Sequence, residues 1–244
     1  MTRFISAAFA LFLAGCAAAP TDDPLEGVNR GVHAFNKGLD TVALRPVSLA
    51  YGSVVPAPMR RGVDNFSDNL GTPGVIVNNV LQGDLESAAV NTGRFLVNST
   101  FGLGGIMDAA EELGTPARET DFGETLHVWG VGEGAYMELP VFGPSTSRDT
   151  VGLFVDILID PLDAVLKEPE STYRLSARVG EIANTRYRFG DTVDGILYDS
   201  ADSYAQSRLI YLQNRRFELG IDDPSSALGP ADTEGSLYDD LYFE

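Results

Sequence analysis

Leu13-Ala14-Gly15-Cys16 closes a short N-terminal segment in which Arg3 supplies positive charge and Phe4 to Leu13 an apolar run, and it sets the chain's only cysteine directly after small residues. That order is the pattern of a bacterial lipoprotein signal, with residues 1–15 removed and Cys16 as the acylated first mature residue. The apolar run is shorter than the ~20 residues a helix needs to cross hydrocarbon, which favours cleavage over a retained span. Acylation constrains the fold: with the lone cysteine carrying lipid no disulfide forms, and an exported chain must be held by packing or by its membrane. Two or more acyl chains, at roughly 0.8 kcal/mol per buried methylene, anchor a protein stably where one does so marginally. Residues 16–22 are read as a lipidated tether.

The 229 residues left after the signal are enough for one large domain or two small ones. A net charge of −18 argues against nucleic acid, whose phosphates demand a basic face, and against simple adhesion to anionic lipid. Part of that acidity is local. From Glu218 onward there are eight carboxylates and neither Lys nor Arg, so residues 221–244 are expected to be an acidic disordered tail.

Between tether and tail, residues 23–220 carry a helical period. Asp23-Pro24-Leu25-Glu26 predicts a helix start capped by Asp23, followed by an apolar stripe of Leu25, Val28, Val32, Phe35 and Leu39. Pro58 opens a second helix with Met59, Val63, Phe66 and Leu70 on one face and Gly71 as its left-handed stop. Asp84 caps a third, whose face from Leu85 through Phe95 to Ser99 is small and apolar. Val151 to Ile159 is apolar nearly all round, as befits a helix deeply buried or facing lipid. Tyr173 to Phe189 and Ser200 to Leu219 read as long C-terminal helices. Two glycine-rich apolar turns, Gly102 to Met107 and Trp129 to Tyr136, interrupt this pattern. Such turns either tuck into a core or dip into one leaflet, the second reading setting Trp129 and Tyr136 at headgroup level. Ala135 to Phe142 has the alternative of a short strand, with Pro140 leaving the choice open.

Signals for catalysis are weak. His33 and His127 are the only histidines and no second cysteine exists, which argues against a zinc site; no metal or cofactor is expected. Gly143-Pro144-Ser145-Thr146-Ser147 begins like a nucleophile elbow but lacks its closing glycine, and the plainer reading makes Ser147 the cap of a helix starting near Arg148. Asp121 with Glu124, and Asp156 with Asp160 and Asp163, are better read as caps and solvated groups than as an acid–base pair or calcium ligands.

Specific strings say more than periodicity. Asp23 to Arg30, Leu44-Arg45-Pro46-Val47, Val55-Pro56-Ala57-Pro58, Asn78 to Gly83, Gly93 to Thr100, Asp121 to Leu126 with Trp129-Gly130-Val131, Leu139 to Ser145 with Arg148-Asp149, and the tyrosine-rich Asp202 to Phe217 segment follow one another in the order they have in the MlaA/VacJ family of outer-membrane lipoproteins, which the chain resembles from Asp23 to Leu219. Val28, His127 and Ala135 depart from the family's usual residues.

The resemblance implies an all-α, ring-like bundle of amphipathic helices, embedded in the outer membrane's inner leaflet from the periplasmic side around a water-accessible central channel. It implies a non-enzyme that removes stray phospholipid from the outer leaflet and passes it to a periplasmic carrier protein, with a trimeric porin holding the ring. Ala17 after the acylated cysteine fits sorting to that membrane. A polar route for a headgroup needs uncharged donors and acceptors on inward faces, and Asn29, Asn36, Asn78, Asn98 and Ser99 are its expected lining, with Gly102, Gly104, Gly105 and Met107 in a flexible gate. Arg208, Arg215 and Arg216 are available to meet phosphate or porin carboxylates, or are simply solvated. Two other classes stay in view: a scaffold lipoprotein without transport activity, and a lipid hydrolase using Ser145 or Ser147.

Overall fold

Six side chains start helices here by accepting a hydrogen bond from the first helical turn: Asp84, Asp108, Asp121, Thr146, Asp160 and Asp202. The computed structural model describes residues 23–221; the signal, Cys16, its tether and the acidic segment beyond residue 221 lie outside the described residues. Helix α1 (Glu26–Leu39) continues through a π-helical turn, Asp40–Leu44, into α2 (Arg45–Val54). Then come α3 (Ala57–Gln82), α4 (Leu85–Thr100), the short α5 (Ala109–Glu112) and α6 (Phe122–Val128). An antiparallel hairpin of β1 (Tyr136–Leu139) and β2 (Gly143–Thr146) leads into α7 (Ser147–Ile159) and α8 (Pro161–Val165). Helices α9 (Glu170–Arg188), α10 (Gly190–Asp194) and α11 (Ser203–Glu218) complete the chain, with a second π-helical turn, Gly195–Asp199, before α11. The fold is mostly helical, and the strand alternative for Ala135 to Phe142 is the one it adopts.

Contacts between elements close into a circuit. Helix α1 lies on β1, β1 pairs with β2, β2 meets α7, α7 packs on α6, α6 on α3, α3 on α9 and α9 on α2, which runs back into α1. The arrangement is inverted relative to a water-soluble globule. Among the described residues seven hydrophobic side chains are buried against twenty polar or charged ones, while Val28 stands 68% and Phe35 55% exposed. On α1 the predicted stripe therefore turns outward, most fully at Val28 and Phe35, and the adjoining face carrying Asn29 and His33, continued by Asp40 in the π-helical turn, is the buried one.

Two asparagines dock that inner face on the hairpin. Asn29 donates to the Tyr136 carbonyl (3.0 Å) and accepts from the Glu138 amide (3.0 Å); Asn36 does the same to the Leu139 carbonyl (2.9 Å) and the Val141 amide (2.8 Å). Seven helical residues rise about 10.5 Å, close to the roughly 10 Å covered by three strand residues, so the two amides match the free edge of β1 as a third strand would.

Three boundaries differ from the sequence reading. Asp23 accepts from the Leu25 amide but does not cap α1, which begins at Glu26. Gly71 does not stop the second helix: α3 runs through it and through Pro73 to Gly83, which takes the left-handed conformation instead. Thr146 rather than Ser147 caps α7, because the Ser147 hydroxyl donates to the Ala135 carbonyl. Tyr136 is 4% exposed with its hydroxyl on Glu138 (2.6 Å), which removes it from any headgroup level; Trp129 is 53% exposed and donates to the Leu81 carbonyl (3.1 Å).

Gly71 has open space where a side chain would begin, whereas a Cβ at Gly152 would collide with the Gly123 backbone where α7 crosses α6. Thermal and denaturant unfolding in detergent should therefore show Gly71→Ala more stable by about 0.5–1 kcal/mol and Gly152→Val less stable by roughly 1–3 kcal/mol. A destabilised Gly71→Ala variant would restore the stop.

Candidate functional site

Helix α3 is flanked by two openings of opposite character. Met59, Gly62, Val63 and Phe66 wall an apolar groove of about 710 Å³, completed by Ile106 and by Tyr173 and Ala177 of α9. The adjoining strip of the same helix, Asn65, Asp68, Asn69 and Thr72, faces a polar cavity of about 260 Å³. Asn91, Arg94 and Asn98 of α4, Asp108, Arg118 and Glu119 of the connection after α4, and Arg178 of α9 form its remaining polar walls. Residues three and four apart share a helical face, so the two strips sit side by side on α3.

The glycine turn lies where groove and cavity meet. Ile106 enters the groove, its carbonyl accepts from Asn65 (3.2 Å), and Gly105 sits so close to Asn69 that any side chain there would clash. Leu103, Gly104 and Gly105 hold φ of 55°, 76° and 97°, a run of left-handed residues that the two glycines make affordable. The turn is tied back by the Gly104, Gly105 and Met107 amides, which donate to the carbonyls of Ser99, Asn98 and Gly102.

Charges around the cavity are unevenly matched. Arg94 is spent on Asp108 (2.7 Å), Glu111 and the Thr115 carbonyl, Arg118 on Glu86 (3.1 Å) and Arg178 on Glu181 (2.8 Å). Asp68 and Glu119 accept no side-chain hydrogen bond from the described residues. Asp68 is exposed at the mouth of the cavity, yet desolvation by the surrounding walls, and then the carboxylates of Glu181, Glu119 and Asp64, push its carboxyl up to about 6, against a smaller pull from Arg178. Asp64 is raised too, again mainly by desolvation. Asn69 gives its amide nitrogen to the Ser99 hydroxyl (3.2 Å) and leaves its buried oxygen without a partner.

Of the residues expected to line a passage, Asn98 faces this cavity, bridging Asp108 (2.9 Å) and the Ala110 amide (2.9 Å). Ser99 holds Asn69 from behind. Asn29 and Asn36 sit on the hairpin, and Asn78 joins three helices by donating to Asp156 (2.7 Å) and accepting from Thr125 (2.9 Å). Gly102 is buried within the turn, Gly104 is exposed and Met107 half-exposed. Asp68, Asn69, Thr72, Glu119 and Arg178 escaped the sequence reading. The signal for the α3 members is a polar strip at spacings of three and four, which a helix ended at Gly71 cuts off.

The three arginines of α11 are all paired with carboxylates, and none is fully exposed. Arg215 reaches Asp121 (2.7 Å) and Asp149 (3.3 Å), Arg216 reaches Glu133 (2.9 Å), and Arg208 lies 3.7 Å from Asp23. Asp121 caps α6, as the sequence indicates, and Asp160 caps α8 while pairing with Arg174. Ser145 bonds Thr150 (3.0 Å), and neither it nor Ser147 touches a histidine. A serine–histidine–carboxylate line does occur elsewhere: Ser203 Oγ lies 3.0 Å from His33 Nε2, and His33 Nδ1 lies 3.2 Å from Glu138. Glu138 is shared with Tyr136 and Asn36, and Ser203 lines none of the cavities described, so the line reads as a buried network joining α1, β1 and α11. Among the described residues no cluster of metal-ligating side chains is present and no helix is long and apolar enough to cross a membrane.

A carboxyl raised in the folded state opposes folding once it ionises, and it does so fully above its folded value and not at all below its unfolded one. Asp68→Asn should accordingly raise the melting temperature above pH 6 and leave it unchanged below about pH 4. Melting curves of both proteins across that range check this, and a variant equally altered at both ends would contradict it.

Residues 21–218 match the family model described as MlaA lipoprotein. The intermembrane phospholipid transport system lipoprotein MlaA of Escherichia coli K12 is 39% identical over 214 residues, covering 84% of this chain and 83% of its own length. The Haemophilus influenzae protein of the same name is 34% identical over 227 residues, covering 86% and 87%. A solved structure described as the structural basis for maintenance of bacterial outer membrane lipid asymmetry superposes with a TM-score of 0.69 at 37% identity, over 81% of this chain and 99% of that one.

Proposed function

The chain belongs to the MlaA lipoprotein family, and from that membership we propose that it removes misplaced phospholipid from the outer leaflet of the outer membrane and passes it toward the periplasm. The observation that carries this reading is the pairing of an apolar groove and a polar cavity on adjoining strips of α3, with the turn 102–107 between them. A phospholipid crossing a leaflet needs acyl chains kept against apolar surface while the headgroup keeps hydrogen-bonding partners, since an unpartnered polar group in hydrocarbon costs several kcal/mol. The outward apolar side chains, Phe101 and Leu103 at the turn among them, fit a body set into the inner leaflet and held there by lipid on Cys16. Asn98, Ser99 and the turn from Gly102 through Gly104 and Gly105 to Met107 border the passage, while Asn29, Asn36 and Asn78 hold its walls in register. A trimeric porin as the surrounding frame and a periplasmic carrier as the acceptor complete the proposal. No catalytic step is assigned to the chain.

In cells lacking their own copy of such a protein, expression of this chain should lower outer-leaflet phospholipid, and Cys16→Ala should abolish both that effect and palmitate incorporation. Unaltered surface phospholipid at normal protein levels would count against transport and leave a scaffold.

A lipid hydrolase is the second reading, and the Ser203–His33–Glu138 line, though its serine opens into none of the cavities described, is the one arrangement among the described residues that it could use. Purified chain incubated with phospholipid vesicles is expected to release no fatty acid. Release that disappears in Ser203→Ala would make the chain an enzyme.

A further inference from the structure

The tip of the hairpin, Pro140 to Phe142, carries backbone strain that no packing inside the chain offsets. Val141 sits in the left-handed region at φ 73°, where a β-branched side chain is costly and glycine or asparagine is not. Its amide donates to Asn36 (2.8 Å), a bond that any residue but proline supplies, while its side chain is 68% exposed. Phe142 beside it is 61% exposed. Leu103, the other non-glycine residue with positive φ among the described residues, has the same character: it is apolar, 67% exposed and placed on the turn that the transport reading sets in lipid. A strained apolar side chain held open to the outside points to contact with something other than this chain. The tip also walls a cavity of about 220 Å³, lined by α1, the two π-helical turns, α10 and α11. Leu39, Leu44, Val193 and Leu197 make that wall largely apolar, and the buried charges behind it are paired, His33 with Glu138 and Asp40 with Arg186. Lys37 differs from these. It lines the same cavity, its ammonium lies 5.4 Å from the centre of the Tyr198 ring, and no carboxylate of the described residues is within ion-pair distance of it.

We infer that this cavity is a second lipid station, in which Val141 and Phe142 hold one acyl chain of a phospholipid and Lys37 meets its phosphate. An apolar wall with one unmatched cation in it selects an amphiphile with a negative head. The chain gains burial against the leucines and the tip, and the phosphate gains a charge-assisted hydrogen bond that hydrocarbon does not offer. Phe142 and Pro144 also line the adjoining cavity, together with Leu139 and Leu153, so apolar cover for the chain continues past the tip. Leu103 argues for lipid over a protein partner, because the same strained and exposed apolar residue recurs on the turn set in the leaflet. The inference rests on the transport reading and adds to it a site away from α3: no residue that lines the apolar groove or the polar cavity lines this one.

The test uses the acylated full chain in a neutral detergent with lipids that carry a diazirine in one acyl chain, cross-links after irradiation being mapped by mass spectrometry. In the native chain, a phosphatidylglycerol probe should label the tip peptide roughly fivefold more than a diacylglycerol probe of the same chains, the scale of one partly exposed ion pair. Lys37→Gln should make the two probes nearly equal. Val141→Gly should lower labelling of the tip by both probes, again roughly fivefold, the scale of half-burying one valine. Its melting temperature should be unchanged or higher, because glycine relieves the left-handed strain. Equal labelling by both probes in the native chain, or a phosphate preference that persists in Lys37→Gln, overturns the inference while leaving lipid transport standing. So does a Val141→Gly chain that melts lower and is labelled as before, which would make Val141 a structural residue. A diazirine fatty acid probes the other source of an anionic amphiphile: if it labels the tip and phosphatidylglycerol does not displace it, the cavity belongs to free fatty acid and the phospholipid assignment fails. Absence of labelling by every probe at both the tip and the α3 groove overturns the transport reading itself.

Discussion

Hydrogen bonds between buried amides, hydroxyls and charged groups hold these helices to one another, because most of the large apolar side chains are turned outward. Asn29 and Asn36 fasten α1 to the hairpin, Asn78 fastens α3 to α6 and α7, Asn91 fastens α4 to both Asn79 and the Arg118 backbone, and Asn98 fastens α4 to the start of α5. Ion pairs do the same work over longer reach. Arg186 joins α9 to Asp40 in the π-helical turn, and Arg215 joins α11 to the Asp121 cap of α6 and to Asp149 in the first turn of α7. Burial alone would raise the Asp40 carboxyl, yet Arg186 and the Tyr198 hydroxyl hold it below the usual carboxylate range. Losing one partner of such a pair leaves an uncompensated charge, so the network tolerates few gaps.

This inversion is also what makes the site. With apolar surface facing out, the strip of α3 that turns inward is free to be polar, and the groove beside it continues the outer apolar surface toward the interior. The glycine turn gains a definite place from the same geometry. Ile106 belongs to the groove and Gly105 presses on Asn69 of the cavity, so displacement of the turn alters both openings together. Small residues permit close crossings elsewhere: Gly152 against Gly123, and Gly52 against the Tyr187 ring.

Several family strings acquire a physical reason. The Asp23 to Arg30 segment supplies Asn29 to β1, Asp23 to Tyr204 and Arg30 to Asp202 (2.8 Å), so one stretch of chain closes the body against both the hairpin and α11. Leu139 to Ser145 is the hairpin itself, and Arg148-Asp149 places a buried charge pair where α7 begins. Asp149 is pushed up by burial but held low by Arg215 and Arg148, which keeps it an acceptor for Thr146 and Tyr211.

Helix content, the caps at Asp84 and Asp121, the outward apolar stripe of α1 and the family were legible from residues alone, since caps, period and ordered strings are local properties of a chain. The end of α3 was not: Gly71 has the chemistry of a stop, and only the packing of α4 and α9 along α3 carries the helix on to Gly83. The long-range partners of Arg208, Arg215 and Arg216 were equally out of reach: apart from Glu218, which Arg215 meets three residues on, the carboxylates lie from 66 to 185 residues away in sequence. The same holds for the unmatched acceptors Asp68, Asn69 and Glu119. A local pattern states which groups a helix face carries, but whether each one meets a partner, water or an empty cavity depends on what the rest of the chain brings opposite it, and that is settled only when the circuit of helices closes.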